Sequence, residues 1–131
     1  MRTSLFAFAA LMAVTAPAMA GPAQDKMLAH FQAQAQSPAS TARGQSLFEG
    51  RFTGGKPETP SCTSCHTASP AGVGKTRAGK EIAPMALSKS PERYSDLKKV
   101  EKWFRRNCKS VLGRACSAQE KTDFIAFMIS Q

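Results

Sequence analysis

Apolar residues recur at helical spacing in two stretches of the first half of the chain. The pattern predicts one helix over residues 22–36, ended by Ser37-Pro38, and a second over residues 40–49, ended by Gly50. The apolar faces of these two helices consist of Met27, Leu28 and Phe31 in the first and of Gly44, Leu47 and Phe48 in the second.

The same spacing returns near the carboxyl end. A third helix is predicted from Asp96 to about Asn107, and a fourth begins at Ser117, where Ser117 and Glu120 form a capping-box pattern. The apolar faces here are Leu97, Val100, Trp103 and Phe104 in the third helix, and Phe124, Ile125, Phe127 and Met128 in the fourth.

Between these helices the chain is rich in glycine and proline. Residues 50–61 and 72–80 are predicted to be loops, and Pro84 and Pro91 bracket a short irregular segment. We find no alternating pattern of the kind that predicts strands. The predicted class is therefore all-α with about four helices, and loops of this length in a small domain are typical of a chain wrapped around another group.

Cys62, Cys65 and His66 form a C-x-x-C-H motif, which is the pattern of covalent c-type haem attachment. The two thiols can add to the vinyl groups along one porphyrin edge, and the adjacent imidazole can then bind the iron from the proximal side. The motif predicts one covalently attached haem c, which would also supply apolar mass to a small core.

Two other uses of these cysteines have to be compared with haem attachment. A thioredoxin-type site needs a βαβ context, and the pattern predicts no strands. A four-cysteine zinc site needs a second closely spaced pair, whereas Cys108 and Cys116 lie eight residues apart. Haem attachment is the interpretation that agrees with the helical pattern.

The amino-terminal residues have the pattern of a secretory signal. Arg2 precedes an apolar run from Leu5 to Val14 that is too short to span a bilayer, and Ala18-Met19-Ala20 is an A-x-A cleavage pattern. We expect cleavage after Ala20, a domain over residues 21–131, a periplasmic location and no stable membrane insertion; an uncleaved anchor is the alternative.

The chain has 131 residues, with 18 Lys plus Arg against 9 Asp plus Glu, so its formal net charge is +9. Loss of Arg2 with the signal lowers this charge to +8. Such a charge invites a nucleic-acid interpretation. We expect no nucleic-acid partner, because an exported haem protein does not meet DNA.

The four cysteines divide by arithmetic. If haem takes Cys62 and Cys65, the pair left for a disulfide is Cys108 and Cys116, at the end of one predicted helix and just before the next. Two unpaired thiols are the alternative. A bridge here would fix the backbone beside Asn107.

The residue on the other side of the iron determines the function. A Met or His ligand makes an electron carrier, and an open or labile position admits small molecules. Chemistry alone favours Met85, which lies in a proline-flanked loop. Met128 suits a helix core, His30 suits a surface helix, and Asn107 near a helix end would ordinarily be a cap.

Three runs of sequence add a resemblance. Lys80 to Met85, Val100 to Cys108 and Leu112 to Cys116 together resemble the sphaeroides haem protein (SHP) family of monohaem class I-type cytochromes c. The resemblance extends from the Gly44 helix to the carboxyl terminus. It implies a class I cytochrome c-like fold with loops wrapped around the haem.

In that family the Asn of the R-N-C triplet binds ferric iron and leaves it on reduction, and the two following cysteines form a disulfide. Carried over, Asn107 is the labile ligand and Cys108–Cys116 is the bridge. Met85 becomes a wall of the pocket, to which Trp103 and Phe104 are further candidates. The resemblance also implies binding of oxygen, nitric oxide or similar diatomics, and an acidic dihaem cytochrome c as redox partner.

Basic residues crowd the third predicted helix and the loop before it. A solvated helix face is the simple interpretation, and docking to an acidic redox partner is the specific one. Arg77 or Lys80 could instead pair with haem propionates. The docking candidates on the helix are Lys98, Lys99, Lys102, Arg105 and Arg106, followed by Lys109, and the loop adds Lys75.

We therefore expect a periplasmic monohaem cytochrome c that carries electrons and opens a ligand site on reduction. One alternative is a plain electron carrier ligated by Met85. Another is a terminal reductase or oxygen-reducing enzyme, although the sequence offers no additional His or carboxylate pair near the motif to relay protons. This absence favours a carrier and ligand-binding protein over an enzyme.

Overall fold

The computed structural model describes residues 20–131, so the predicted signal peptide lies outside the described residues except for Ala20. Within this range the chain forms five helices and one two-stranded hairpin. In chain order they are α1 (Pro22–Gln32), α2 (Thr41–Glu49), α3 (Thr63–His66), β1 (Gly74–Lys75), β2 (Glu81–Ile82), α4 (Leu97–Leu112) and α5 (Ala118–Ile129).

Helix α1 starts at Pro22, whose fixed φ suits the first helical position, and buries Met27 and Phe31. It ends at Gln32, four residues before the predicted end. The Gln32 amide donates to the Ser37 carbonyl at 3.0 Å and accepts from the Ala39 backbone at 2.8 Å. This side chain therefore stabilises a turn where the sequence pattern predicted a further helical turn.

Helices α2 and α5 cross at Gly44. A Cβ atom at this position would collide with the Asp123 carbonyl of α5 and would lie 2.7 Å from Cβ of Phe127, so only glycine permits so close an approach. The next residue on this face, Phe48, is fully buried. The crossing confirms the apolar face predicted for residues 40–49.

Asp123 ties the start of α2 to α5. Its carboxylate accepts from the Ser40 backbone at 2.8 Å and from two Arg43 nitrogens at 2.7 and 2.9 Å. Burial alone would raise the pKa of Asp123, but hydrogen bonds from Arg43, the Ser40 backbone and Gln119 outweigh burial and lower it.

Helix α4 begins where predicted, with the Asp96 side chain accepting from the Lys99 backbone at 3.0 Å. Its predicted end near Asn107 is wrong, because the helix continues to Leu112. Gly113 then ends it in the left-handed conformation at φ 74°, and the Gly113 N–H donates to the Lys109 carbonyl. Asn107 and Cys108 therefore lie inside a helix, not at its end.

The expectation of no strands is also corrected. Gly74–Lys75 pairs antiparallel with Glu81–Ile82, with Gly74 opposite Ile82 and Lys75 opposite Glu81. Two residues are too few to produce an alternating pattern, so the sequence carries no sign of this pairing.

The core lies between α1, α2, α4 and α5. Phe104 of α4 meets Phe31 and Phe124 edge-to-face, with ring centroids 5.7 and 5.6 Å apart. The Lys121 ammonium lies over the rings of Phe31 and Phe104 and bonds Glu101 at 2.7 Å. Across residues 20–131, every helix falls short of the length and apolar character needed to cross a bilayer.

Candidate functional site

The C-x-x-C-H motif folds as one short helical turn. The His66 N–H donates to the Cys62 carbonyl at 3.1 Å, and the preceding Ser61 hydroxyl accepts from the Thr63 N–H at 3.2 Å. Thr67 then ends the turn with a φ of 63°, an uncommon conformation for a β-branched residue. The motif is thereby held as one compact unit.

Hairpin residue Gly74 packs directly against this turn. A Cβ atom there would collide with the Cys65 carbonyl and would approach the His66 Cα to 3.1 Å. The hairpin therefore supports the backbone that carries both Cys65 and His66.

Cys62 and Cys65 are free, half-buried thiols. Burial raises the pKa of Cys62 to about 11, so its thiol is neutral at pH 7. Its Sγ lies 3.9 Å from the Leu47 carbonyl, which places this cysteine against α2. Both thiols are available for covalent attachment, as the motif predicts.

His66 has a buried Nδ1 that finds no hydrogen-bond partner among the described residues. Burial, followed by the positive charge of Arg93, lowers the pKa of His66 to about 4. The imidazole is therefore neutral at physiological pH, which is the form that binds a metal.

Asn107 interrupts the apolar face of α4. It lies three residues after Phe104 and four before Val111, so the three side chains share one side of the helix. Phe104 and Val111 are buried, whereas Asn107 is exposed. The helix thus presents an uncovered amide in the middle of a stripe that otherwise faces the core.

Trp103, one turn before Asn107, is 44% exposed, and Leu97 on the same helix is 38% exposed. Trp103 is therefore accessible at the surface, as a residue of the pocket wall would be. Phe104, the other pocket candidate on α4, instead packs in the core against Phe31 and Phe124.

Met85 lies in a loop that is held from several sides. Its N–H donates to the Pro70 carbonyl at 2.7 Å, and its own carbonyl accepts from the Tyr94 hydroxyl at 2.7 Å. The side chain is 8% exposed and belongs to the core cluster. Met85 is therefore fixed in its place.

Two residues outside the predicted site, Arg93 and Tyr94, hold this loop. Arg93 donates to the carbonyls of Pro84 and Ala83 at 2.6 and 2.7 Å. Tyr94 is buried with φ at 60°, and burial raises its pKa. Tyr94 is the one tyrosine in the chain, and it follows the segment between Pro84 and Pro91. This position in the sequence is the feature from which its role in holding the loop could have been predicted.

Cys108 and Cys116 form a disulfide with a Cα–Cα distance of 5.6 Å. It joins the penultimate turn of α4 to the residue before Ser117, which caps α5. The predicted pairing is therefore present, although Cys108 lies within the helix.

The loop before the C-x-x-C-H motif also contacts the end of α4. The Lys56 N–H donates to the Ser110 carbonyl at 2.7 Å, and Thr59 Oγ1 lies 3.1 Å from Ser110 Oγ. A Cβ atom at Gly55 would lie 2.5 Å from the Val111 carbonyl. This loop, residues 54–59, and the disulfide together fix the backbone just after Asn107.

The remaining ligand candidates lie in ordinary surroundings. His30 is exposed on α1 beside Gln34, at 3.3 Å between the two side-chain nitrogens. Met128 is fully buried in α5. Arg77, a candidate for haem propionates, pairs with Glu58 at 2.9 Å, and Lys80 is exposed beside the hairpin.

These residues fit covalent haem better than the other uses of the cysteines. Cys108 and Cys116 are joined to each other, so a four-cysteine zinc site is excluded. Within residues 20–131, no three His, Cys, Asp or Glu side chains gather as a metal-binding cluster. Two free thiols and an adjacent neutral imidazole form a donor set suited to haem.

Known proteins are similar to this chain in sequence. Residues 34–128 match the family described as a domain of unknown function, DUF1924. The cytochrome c-type protein SHP of Cereibacter sphaeroides is 51% identical over 128 residues, which cover 95% of this chain and 98% of SHP. Cytochrome c'' of Methylophilus methylotrophus is 36% identical over 105 residues, which cover 79% of this chain and 73% of that protein.

Solved structures share the fold. Oxidized SHP, described as an oxygen-binding cytochrome c, matches with a TM-score of 0.80 and 49% identity, covering 82% of this chain and 96% of that one. Oxidized cytochrome c'' from Methylophilus methylotrophus matches with a TM-score of 0.72 and 34% identity, covering 83% and 94%.

The predicted resemblance to the SHP family and the predicted class I-type helical fold are both confirmed by these matches. The prediction of one covalently bound haem is confirmed with them. This chain belongs to the DUF1924 family and is, with SHP and cytochrome c'', a monohaem c-type cytochrome.

Proposed function

We propose that this protein is a periplasmic electron-transfer cytochrome whose sixth iron position is closed by Asn107 in the ferric state and opens on reduction. His66 would bind the haem iron, and Cys62 and Cys65 would carry the haem. The ferrous protein then binds oxygen, nitric oxide or a similar small ligand, as the description of SHP as an oxygen-binding cytochrome supports.

The position of Asn107 carries the proposal. An amide in the centre of an apolar helix face has no packing role, and its exposure leaves it free to reach a neighbouring group. Its nearest turns are held in place by the buried Phe104 before it and the disulfide-bonded Cys108 after it. The side chain can therefore rotate while the helix backbone stays fixed.

The chemistry of the amide suits a redox-dependent ligand. When bound, the haem supplies an iron that gains one electron and becomes a softer acceptor on reduction. The Asn107 carbonyl is a hard, neutral oxygen donor that prefers the ferric ion. Asn107 would therefore be a ligand of the ferric ion and would be free to rotate away after reduction.

The surroundings of Met85 support the same conclusion, because they hold this residue in place. Its backbone is hydrogen-bonded on both sides, to Pro70 and to Tyr94, and its side chain packs in the core. Arg93 further anchors the loop at Pro84. We assign Met85 to the wall of the pocket, because its backbone is fixed by these hydrogen bonds and its side chain is packed in the core.

Optical spectra of the ferric and ferrous holoprotein test this proposal. Asn107→Ala should convert the ferric spectrum to that of a high-spin or water-ligated haem, and should leave the ferrous spectrum nearly unchanged because the ligand has already left. The ferrous wild type should bind CO and NO. Met85→Leu is the matched control and should leave both spectra unchanged.

Identical ferric spectra for wild type and Asn107→Ala would contradict the assignment of Asn107. A ferrous protein that fails to bind CO would contradict the opening of the site. If Met85→Leu alone altered the spectra, the plain methionine-ligated carrier would be the correct interpretation.

The exposed basic face of α4 supports docking to an acidic redox partner. In the part of the chain that the structure describes, the basic residues of this face form no ion pair, because the salt bridges there involve other basic residues. Unpaired charge of one sign accelerates encounter with a protein of the opposite sign. The basic face consists of Lys98, Lys99, Lys102, Arg105, Arg106 and Lys109.

Electron-transfer rates to an acidic dihaem cytochrome c should fall steeply as ionic strength rises, because salt screens this attraction. The readout is the second-order rate constant measured by stopped flow between about 20 and about 500 mM salt, a range over which the Debye length shortens severalfold. A rate constant independent of salt would contradict docking by charge.

A further inference from the structure

Trp103 holds a cation beside the candidate ligand position. The Arg106 guanidinium carbon lies 5.1 Å from the centre of the Trp103 ring, within the range of a cation–π contact. The Lys102 ammonium lies 6.0 Å from the same ring. Trp103 is one helical turn before Asn107, so this ring with its cations borders the exposed amide.

The positive charge at this place is not neutralised by protein groups. Neither Arg106 nor Lys102 forms an ion pair with a carboxylate anywhere in residues 20–131. Both side chains are exposed, so they create a local positive potential around the Trp103 ring, which shares a side of the helix with Asn107. A potential of this sign attracts small anions.

Helix geometry separates Arg106 from its neighbour Arg105. Residues three or four apart share a helix face, as Trp103 does with Arg106 and Asn107, whereas residues two apart do not. Arg105 lies two positions from both Trp103 and Asn107 and makes no contact of this kind with the ring. The chain thus supplies two arginines of equal charge, one held at the Trp103 ring and one away from that ring.

We propose that Arg106, positioned by Trp103, makes the entrance to the sixth-ligand site selective for small monovalent anions. The proposal rests on the proposed function, since it assumes that the side of α4 bearing Asn107 faces the sixth-ligand site. Trp103 is a positioning residue here, and Arg106 supplies the charge. Neutral diatomics enter without this help.

The expected effect follows from electrostatic steering, which raises association rates by about 10- to 1,000-fold when several charges act together. A single guanidinium should contribute less than several charges together, about three- to tenfold. The contribution should shrink as salt is added, because the interaction is screened over about 10 Å at 0.1 M ionic strength.

Azide is the anionic probe, and the ferric holoprotein with Asn107→Ala is the background, because azide then does not have to displace the amide. Adding Arg106→Gln should slow azide association about three- to tenfold at low salt. Adding Arg105→Gln, the matched control, should slow it much less. Trp103→Leu should lower the azide rate as well, because the guanidinium loses the ring that holds it in place.

CO association with the same ferrous proteins is the readout for a neutral ligand, and Arg106→Gln should leave it unchanged. Equal effects of Arg105→Gln and Arg106→Gln on azide would overturn the proposal, as would an equal slowing of CO by Arg106→Gln. An unchanged azide rate in Trp103→Leu would overturn the role of Trp103.

These outcomes are separate from failure of the proposed function. The ferric spectrum of Asn107→Ala, recorded without azide, reports on the assignment of the ligand. A changed ferric spectrum together with equal azide rates in Arg105→Gln and Arg106→Gln would contradict the anion selectivity alone.

Discussion

The Cys108–Cys116 disulfide should stabilise the fold without being needed to place Asn107. The perturbation is the double variant Cys108→Ala, Cys116→Ala in the haem-loaded protein. The bridge spans a sequence separation of eight, and the haem-attaching cysteines lie outside the ring that it closes. Covalent haem therefore does not replace the constraint that the bridge imposes on the unfolded chain.

The magnitude follows from the entropy of ring closure. A ring of this size restricts the unfolded chain by about 2.5 kcal/mol at 25 °C in the chain-entropy relation. For a domain of the size of residues 21–131, losing this stabilisation lowers Tm by roughly 10 °C. The ferric spectrum should not change, because Lys56, Thr59 and Gly55 also hold the last turn of α4.

Guanidinium denaturation followed by circular dichroism gives the free energy of unfolding, and optical spectra of the same samples report on ligation. A double variant as stable as the wild type would refute the entropic reasoning. A double variant that lost the ferric spectrum of the wild type would refute the claim that residues 54–59 are sufficient to hold the helix end.

Three further substitutions test the supporting structure, each in the holoprotein. Gly44→Ala should destabilise the fold by about 1–3 kcal/mol or prevent folding, since its Cβ would collide with the backbone of α5; thermal unfolding measures this. Asp123→Asn should lower the free energy of unfolding by about 1–3 kcal/mol at pH 7, because Arg43 and the half-buried Ser40 N–H lose a charged acceptor. Since folding lowers the pKa of Asp123, this stabilisation is complete above the unfolded pKa of about 3.9 and is lost as the pH falls through the lower folded value, so denaturation curves of the two proteins should converge in acid. Tyr94→Phe removes the hydrogen bond to the Met85 carbonyl and should cost about 1–2 kcal/mol in urea unfolding, with both optical spectra unchanged.

The helices are predictable wherever the apolar spacing and the caps agree. Asp96 and Ser117 mark the starts of α4 and α5 correctly, because each side chain caps its own helix locally. The predicted end of α4 is wrong because Asn107 is a residue type common at helix ends, whereas the stop signal is Gly113. Val111 continues the apolar stripe beyond Asn107 and is the indication that the helix goes on.

The candidate site, too, is predictable from the sequence only where its residues are local. Cys62, Cys65 and His66 are close together in sequence, so their spacing alone predicts their chemistry. The contacts of Arg93 with Pro84 and of Lys56 with Ser110 join separate segments of the fold, and no local pattern predicts them. Asn107 becomes the preferred candidate only through the family resemblance, because an amide on a helix is chemically ordinary until its neighbours are known to be buried.

The spacing of the four cysteines also directs how the chain matures. Closing a loop between Cys108 and Cys116 is favoured over closing one between Cys65 and Cys108, 43 positions apart, by about 1.5 kcal/mol of chain entropy. Cross-pairing is therefore disfavoured already in the unfolded chain. The pairing that remains in competition with haem attachment is the local one between Cys62 and Cys65, the shortest loop that the four cysteines can close.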